Sequence, residues 1–213
     1  MENPESEIAT DASCKKPPLK VFWLPEGAHQ WRTEGSLVDA YYEAAKAIVD
    51  GVVSGSLREG IEGIAALFLF RHYLELRLKY VIFHGRWLKD ASTNADDSEI
   101  QALGKCHSLL ALWEQAKTEC QTKVPREDWN SLDLSFVENF VREFHEIDPD
   151  GQGFRYPSKR IEIDRTHKET LYISVDSLRV SMHHIHSVLE MIDAYLIETH
   201  GQNEEWQDIL NSF

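Results

Sequence analysis

The sequence predicts an all-α fold, and three observations favour it. Apolar residues recur at intervals of three and four in several long stretches, as they do along one face of a helix. Short segments with proline, glycine or clustered polar residues separate these stretches. Only the segment from Phe154 to Ile173 alternates apolar and polar residues as a strand does. We therefore expect an antiparallel helical bundle, with a small β-hairpin before the last long helix.

The first two helices are predicted from apolar spacing. Ser36 can begin a helix over residues 36–53, in which the apolar positions follow helical spacing. Residues 61–87 give the strongest helical pattern in the chain, with apolar side chains over a wide face, so this helix is expected to lie at the centre of the core.

Three further segments complete the predicted bundle. The polar residues 90–99 indicate a loop, and a third helix is expected to begin near His107. A fourth helix is predicted over residues 126–147, after Pro125. The last long helix is predicted over residues 175–199, after the candidate hairpin.

Length and composition predict one globular domain. The chain has 213 residues, of which 42% are hydrophobic and 27% charged, and these are ordinary values for a single folded domain. We assign residues 21–213 to this domain. Residues 1–20 are rich in Pro, Ser, Glu and Lys without apolar periodicity, and they predict a flexible N-terminal tail.

Cysteine usage and hydropathy predict a cytoplasmic protein without membrane contact. The three cysteines, Cys14, Cys106 and Cys120, show no metal-binding spacing, and no secretory signal pattern precedes them. The longest apolar run, from Ile64 to Phe70, is too short to cross a bilayer.

The net charge limits the partners that the chain can bind. It has 36 acidic and 22 basic residues, a formal charge of -14, which repels a phosphate backbone over most of the surface. Any contact with nucleic acid is therefore expected to be local. A protein partner with a basic surface also fits this charge.

Three segments of the chain carry motifs of one known family. The first has Glu75 and Lys79 four apart on a helix that is followed by a glycine. The second runs from Lys105 to Trp113 with His107 and opens the next helix, and the third is Phe154-Arg155-Tyr156-Pro157. Together they resemble the HEPN family, named for nucleotide-binding domains of higher eukaryotes and prokaryotes, many prokaryotic members of which carry an Arg-Tyr-Pro segment.

The resemblance implies a function as well as a helical bundle. HEPN-like proteins bind RNA or nucleotides or act on them, and catalytic members are metal-independent endoribonucleases, often in bacterial defence or toxin–antitoxin systems. Their sites usually assemble from two subunits, so a homodimer is implied, and a partner protein from the same operon is a further expectation. The alternative is a non-catalytic interaction module that holds a partner protein or a nucleotide.

Catalytic members carry an arginine followed, after four to six residues, by a histidine. Arg179 matches this pattern with His184 and with His186. Helical spacing predicts a buried stripe on this helix, formed by Leu178, Met182, Ile185, Leu189, Ile192 and Leu196. Helical phase separates the two histidines, because Arg179, His183, His186 and Glu190 form one polar stripe beside it. His184 points elsewhere. We therefore predict Arg179, His183 and His186 as catalytic residues.

These residue types suit cleavage of RNA without a metal or cofactor. A histidine can take the proton of a 2′-hydroxyl group or protonate the leaving oxygen, and an arginine stabilises charge on the phosphate. Two alternatives remain open. The stripe can simply border the core, with structural histidines, or His183, His186 and Glu190 can bind a metal ion.

Arg155, Tyr156 and His107 are predicted as ligand-binding residues. The arginine can bind a nucleotide phosphate, and the tyrosine can stack on a base. His107, near a helix start, can contact the ligand or cap the helix. The alternative for Arg155 is a rigid turn in which it pairs with an acidic neighbour.

Overall fold

A computed structural model describes residues 30–87, 97–121, 123–124, 126–155 and 173–201. These residues are mostly helical and contain no strand, which confirms the all-α class. The predicted β-hairpin falls almost wholly on residues 156–172, and the predicted tail on residues 1–20, so both lie outside the described residues.

Seven helices are formed by the described residues. In chain order they are α1 (Gln30–Val53), α2 (Glu59–Trp87), α3 (Asp97–Lys105), α4 (Leu109–Gln121), α5 (Arg126–Ser131), α6 (Leu134–Ile147) and α7 (Val175–Gly201). None of them combines the length and the apolar content that a membrane span requires.

Helix α2 lies at the centre of the packing, as its apolar pattern predicts. It contacts α1, α4 and α7, while α4 and α7 both contact α6. Helix α2 buries apolar side chains toward all three of its neighbours, and the fully covered ones include Phe70, Tyr73, Leu74, Leu78 and Ile82. Burial of such side chains contributes about 1.5–3 kcal/mol each, so α2 anchors the core.

The apolar stripe predicted for the last long helix is confirmed. Six residues of α7 at helical spacing are at most 7% exposed, and they are Leu178, Met182, Ile185, Leu189, Ile192 and Leu196. The adjacent polar stripe of α7 faces α1 and the middle of α2. This orientation places the predicted catalytic residues beside α1.

Three helices differ from the prediction. Helix α1 begins at Gln30, six residues before the predicted start at Ser36. The predicted helix over residues 126–147 is two helices, α5 and α6. Asp133 lies between them and caps α6 by accepting a hydrogen bond from the Phe136 backbone N–H at 3.2 Å.

The sequence does not predict helix α3, because its first three residues fall in the predicted loop over residues 90–99 and the others precede the helix expected near His107. It buries Leu103 and is otherwise largely exposed, so its apolar pattern is too weak to detect.

Candidate functional site

An open groove of about 380 Å³ runs between α1 and α7. We call it the α1/α7 groove, and its lining residues are Tyr42, Lys46, Val49 and Asp50 from α1 with Arg179, Val180, Met182 and His183 from α7. Two of the three predicted catalytic residues, Arg179 and His183, therefore meet in one accessible space.

The guanidinium group of Arg179 is only loosely held. Its side chain is 45% exposed, and its nitrogens lie 3.9 Å from carboxylate oxygens of Asp50 and of Asp176. Asp50 makes a shorter contact with Lys46, at 3.1 Å. Long, exposed ion pairs of this kind contribute little to stability, so Arg179 can exchange them for a phosphate group at small cost.

His186 lies one turn further along α7 and does not line the groove. Its ring stacks on Tyr42, with centroids 3.8 Å apart and planes 10° from parallel, and its Nδ1 lies 2.8 Å from the Tyr73 hydroxyl. Burial lowers the pKa of His186, and the positive charge of Arg77 lowers it further. His186 is thus a half-buried ring whose neutral form is favoured, and it packs against one face of the Tyr42 ring.

His184 points away from the groove, as helical phase predicts. Its Nε2 lies 3.3 Å from a carboxylate oxygen of Asp133, and its ring packs edge-on against Phe136, with centroids 4.7 Å apart. Asp133 and Phe136 both belong to the start of α6, on the opposite side of α7. The structure therefore separates His184 from Arg179.

Potential metal ligands meet beside His186, and an arginine already pairs with the acidic ones. Asp39, His186 and Glu190 each offer one ligand atom, and these three atoms lie within 4.8 Å of one another. The buried guanidinium of Arg77 forms an ion pair with Glu190 and lies 3.6 Å from Asp193. Because this cation occupies the acidic cluster, the geometry favours a structural ion-pair network there. His183 is not part of it.

A second cavity, of about 100 Å³, lies at the far side of α2. We call it the polar pocket, and its lining residues are Phe68, Arg71, His72, Glu75, His107, Asp150, Gly151, Gln152 and Arg155. It joins residues from the three segments on which the family resemblance rests. Of the predicted ligand-binding residues, His107 and Arg155 line it together, and Tyr156 lies outside the described residues.

Arg71 connects the segments around the polar pocket. Its side chain is 4% exposed, and it donates to Glu75 Oε2 at 3.1 Å and to the backbone carbonyl oxygens of His107 and Asp148 at 2.8 Å and 3.2 Å. Asp148 in turn accepts a hydrogen bond from the Gly153 backbone N–H at 2.8 Å. One buried side chain of α2 thereby positions the loops before α4 and after α6.

His107 contacts Glu75 rather than capping a helix. Its Nδ1 lies 2.9 Å from Glu75 Oε1, and its side chain is 56% exposed. The hydroxyl of Ser108 caps α4 instead, by accepting a hydrogen bond from the Ala111 backbone N–H at 3.3 Å. The capping alternative for His107 is therefore wrong.

Arg155 packs over an aromatic ring. Its guanidinium carbon lies 5.4 Å from the centroid of the Phe68 ring, and among the described residues it forms no ion pair. The predicted alternative, pairing with an acidic neighbour, is not observed within that part of the chain. Arg155 is exposed at the mouth of the polar pocket.

Gly151 permits the close approach of Arg71. Its φ is +74°, and a Cβ atom there would lie 2.7 Å from Arg71 Nη1. Gly55 has a similar φ of +75° with no atom within 4 Å of its Cβ position. We expect Gly151→Ala to lower the free energy of unfolding by more than Gly55→Ala, which carries only the backbone penalty of about 1–2 kcal/mol. Urea denaturation of the two variants measures the difference, and equal losses would contradict the crowding.

The charge state of Glu75 makes stability depend on pH. Burial opposes its ionisation, but hydrogen bonds from Lys79, His107 and Arg71 outweigh burial and lower the pKa of Glu75 below 4.5. A carboxylate with a lowered pKa stabilises the fold above its unfolded pKa and loses that contribution as the pH falls through its folded pKa. We expect the stability difference between wild type and Glu75→Gln to narrow as the pH falls below about 4.5. A constant difference in denaturation experiments would contradict this assignment.

Several site residues were not identified from the sequence. Arg71 and Glu75 lie four apart within a strongly apolar helix, and charged side chains inside such a helix are a detectable signal of a buried pair. Lys46 and Asp50 of the groove have no comparable signal, because a lysine and an aspartate four apart are common on exposed helix faces.

Comparisons of the chain with protein-family models, with curated proteins and with solved structures find no match in any of the three.

Proposed function

We propose that the chain is an RNA-cleaving protein of HEPN type and that the α1/α7 groove is its metal-independent active site. The observation that supports the proposal is that Arg179 and His183 line one open groove, with Lys46 beside them. The overall charge of -14 makes such a local basic group the place where a phosphate would bind.

In the proposed reaction, His183 accepts the proton of a ribose 2′-hydroxyl group. The 2′-oxygen bonds to phosphorus, the bond from phosphorus to the 5′-oxygen breaks, and the 5′-oxygen takes a proton from water or from a second imidazole. Arg179 stabilises the additional negative charge on the phosphate oxygens. The products are a 2′,3′-cyclic phosphate and a 5′-hydroxyl end.

We assign the proton transfer to His183, although the family spacing after Arg179 matches His184 and His186 instead. We assign the positioning of Tyr42 to His186. Nδ1 of His186 forms a hydrogen bond with the Tyr73 hydroxyl group, and the Tyr42 ring covers one face of the imidazole. His183 is exposed to the groove. The family resemblance adds an antiparallel bundle and a homodimer to the proposal, in which two copies of α7 would bring two groups of Arg179 and His183 together. It also suggests a bacterial defence or toxin–antitoxin role.

The test is incubation of the purified chain with mixed-sequence single-stranded RNA in EDTA. We expect products with 2′,3′-cyclic phosphate ends, and no cleavage of DNA of the same sequence, because DNA lacks the 2′-hydroxyl group. Arg179→Ala is expected to lower the rate by about 10²–10³-fold. Undiminished cleavage by Arg179→Ala would exclude the groove as the active site.

A second function is supported by the apolar walls of the same groove. Val49, Val180 and Met182 contribute to its lining, and Val180 is 64% exposed. Such a surface suits an apolar protein segment, as in a non-catalytic interaction module. This function would replace the first if wild type leaves RNA intact while Val180→Asp abolishes binding of a partner encoded in the same operon.

A further inference from the structure

The polar pocket contains three basic side chains with uncommitted hydrogen-bond donors. Nδ1 of His107 forms a hydrogen bond with Glu75, which leaves Nε2 of the same ring for a ligand. The His72 ring is held edge-on by Tyr41, with centroids 4.5 Å apart, and no hydrogen bond joins its nitrogens to other described residues. Arg155 is held only by its contact with the Phe68 ring within the described part of the chain.

The acidic groups of the pocket are already balanced. The carboxylate of Glu75 forms hydrogen bonds with Arg71, Lys79 and His107, at distances of 3.1, 2.8 and 2.9 Å. Asp148 is 3.2 Å from Arg71 and accepts the hydrogen bond from Gly153. Asp150 is exposed, accepts a hydrogen bond from the Gln152 backbone N–H at 3.1 Å and forms no ion pair with Arg155. The charge of Arg155 therefore remains available for an anion.

The size of the pocket limits the ligand. The cavity has a volume of about 100 Å³, roughly a quarter of that of the α1/α7 groove. A phosphate group fits this space. A larger molecule can bind only by placing one terminal group in the pocket.

We propose that the polar pocket binds a phosphate monoester, with Arg155 as the charge partner and His107 and His72 as hydrogen-bond donors. Glu75 positions the His107 ring by holding its Nδ1, and Arg71 holds Glu75 and both loops in place. The site is separate from the α1/α7 groove, so this proposal does not rest on RNA cleavage. The source of the group is free phosphate or the 5′-phosphate end of an RNA.

Calorimetric titration of the full chain tests the proposal. The probes are inorganic phosphate, a 5′-phosphorylated RNA dinucleotide and the same dinucleotide with a 5′-hydroxyl end. We expect saturable binding of phosphate in the millimolar range, and tighter binding of the 5′-phosphorylated dinucleotide if RNA is the source. The 5′-hydroxyl dinucleotide is expected not to compete with phosphate.

The decisive variant is Arg155→Gln, because its side chain is exposed and its loss should leave the fold intact. It is expected to weaken phosphate binding at least tenfold. Arg58→Gln, which changes an arginine that is 76% exposed and lies outside the pocket, is the matched control and should bind like wild type. Absence of saturable phosphate binding by wild type, or equal binding by Arg155→Gln and wild type, would overturn the proposal.

Discussion

Replacing His183 with alanine is expected to lower the rate of RNA cleavage by about 10²–10⁴-fold, the usual contribution of a positioned acid or base. The imidazole of His183 lines the groove together with Arg179. A single-turnover assay in EDTA measures the loss in the rate constant of the cleavage step. The truncation is not expected to unfold the chain, because His183 is exposed.

His184→Ala is the matched control for this experiment. It removes the neighbouring imidazole, which faces Asp133 instead of the groove, and cleavage should stay within a few-fold of wild type. His186→Ala is expected to act differently, since it leaves the Tyr42 ring without its stacking partner. Loss of activity in His184→Ala with full activity in His183→Ala would refute the proposed assignment.

Replacing Arg71 with alanine is expected to lower the free energy of unfolding by about 3–5 kcal/mol, the typical cost of removing one partner of a buried ion pair. The change leaves the carboxylates of Glu75 and Asp148 without this cation, and their side chains are 7% and 1% exposed. It also removes the donors that bind two backbone carbonyl groups. Chemical denaturation measures the effect.

Arg142→Ala is the control for Arg71→Ala. Arg142 also pairs with a glutamate four residues away, Glu138, but its side chain is 50% exposed. An exposed pair of this kind contributes about 0–1 kcal/mol. A similar small loss for Arg71→Ala would show that the buried network does not hold the loops around the polar pocket.

The helices with a continuous apolar pattern could be predicted from the sequence. Helices α2 and α7 each bury a long, periodic set of side chains, so the apolar positions in their sequences coincide with the buried positions. The division between α5 and α6 could not be predicted in this way, because Leu132 continues the apolar pattern through the break. Its position depends on Asp133, whose capping role is visible only once the backbone is known.

The candidate sites show the same distinction. Helical phase on α7 separates Arg179 and His183 from His184, since the three residues lie on a single helix. It does not separate His183 from His186, because both face α1 and differ only in what α1 and α2 place against them. The stacking by Tyr42 and the hydrogen bond to Tyr73 are tertiary contacts, which no spacing along α7 encodes.

The most direct test of the α1/α7 groove is an NMR titration of the histidine imidazoles with a 2′-O-methyl RNA, which cannot be cleaved by attack of a 2′-hydroxyl group. We expect the signals of His183 to shift as the RNA saturates the groove, while those of His184 stay unchanged. Shifts of His184 without shifts of His183, or no shifts of either at saturating RNA, would contradict this expectation.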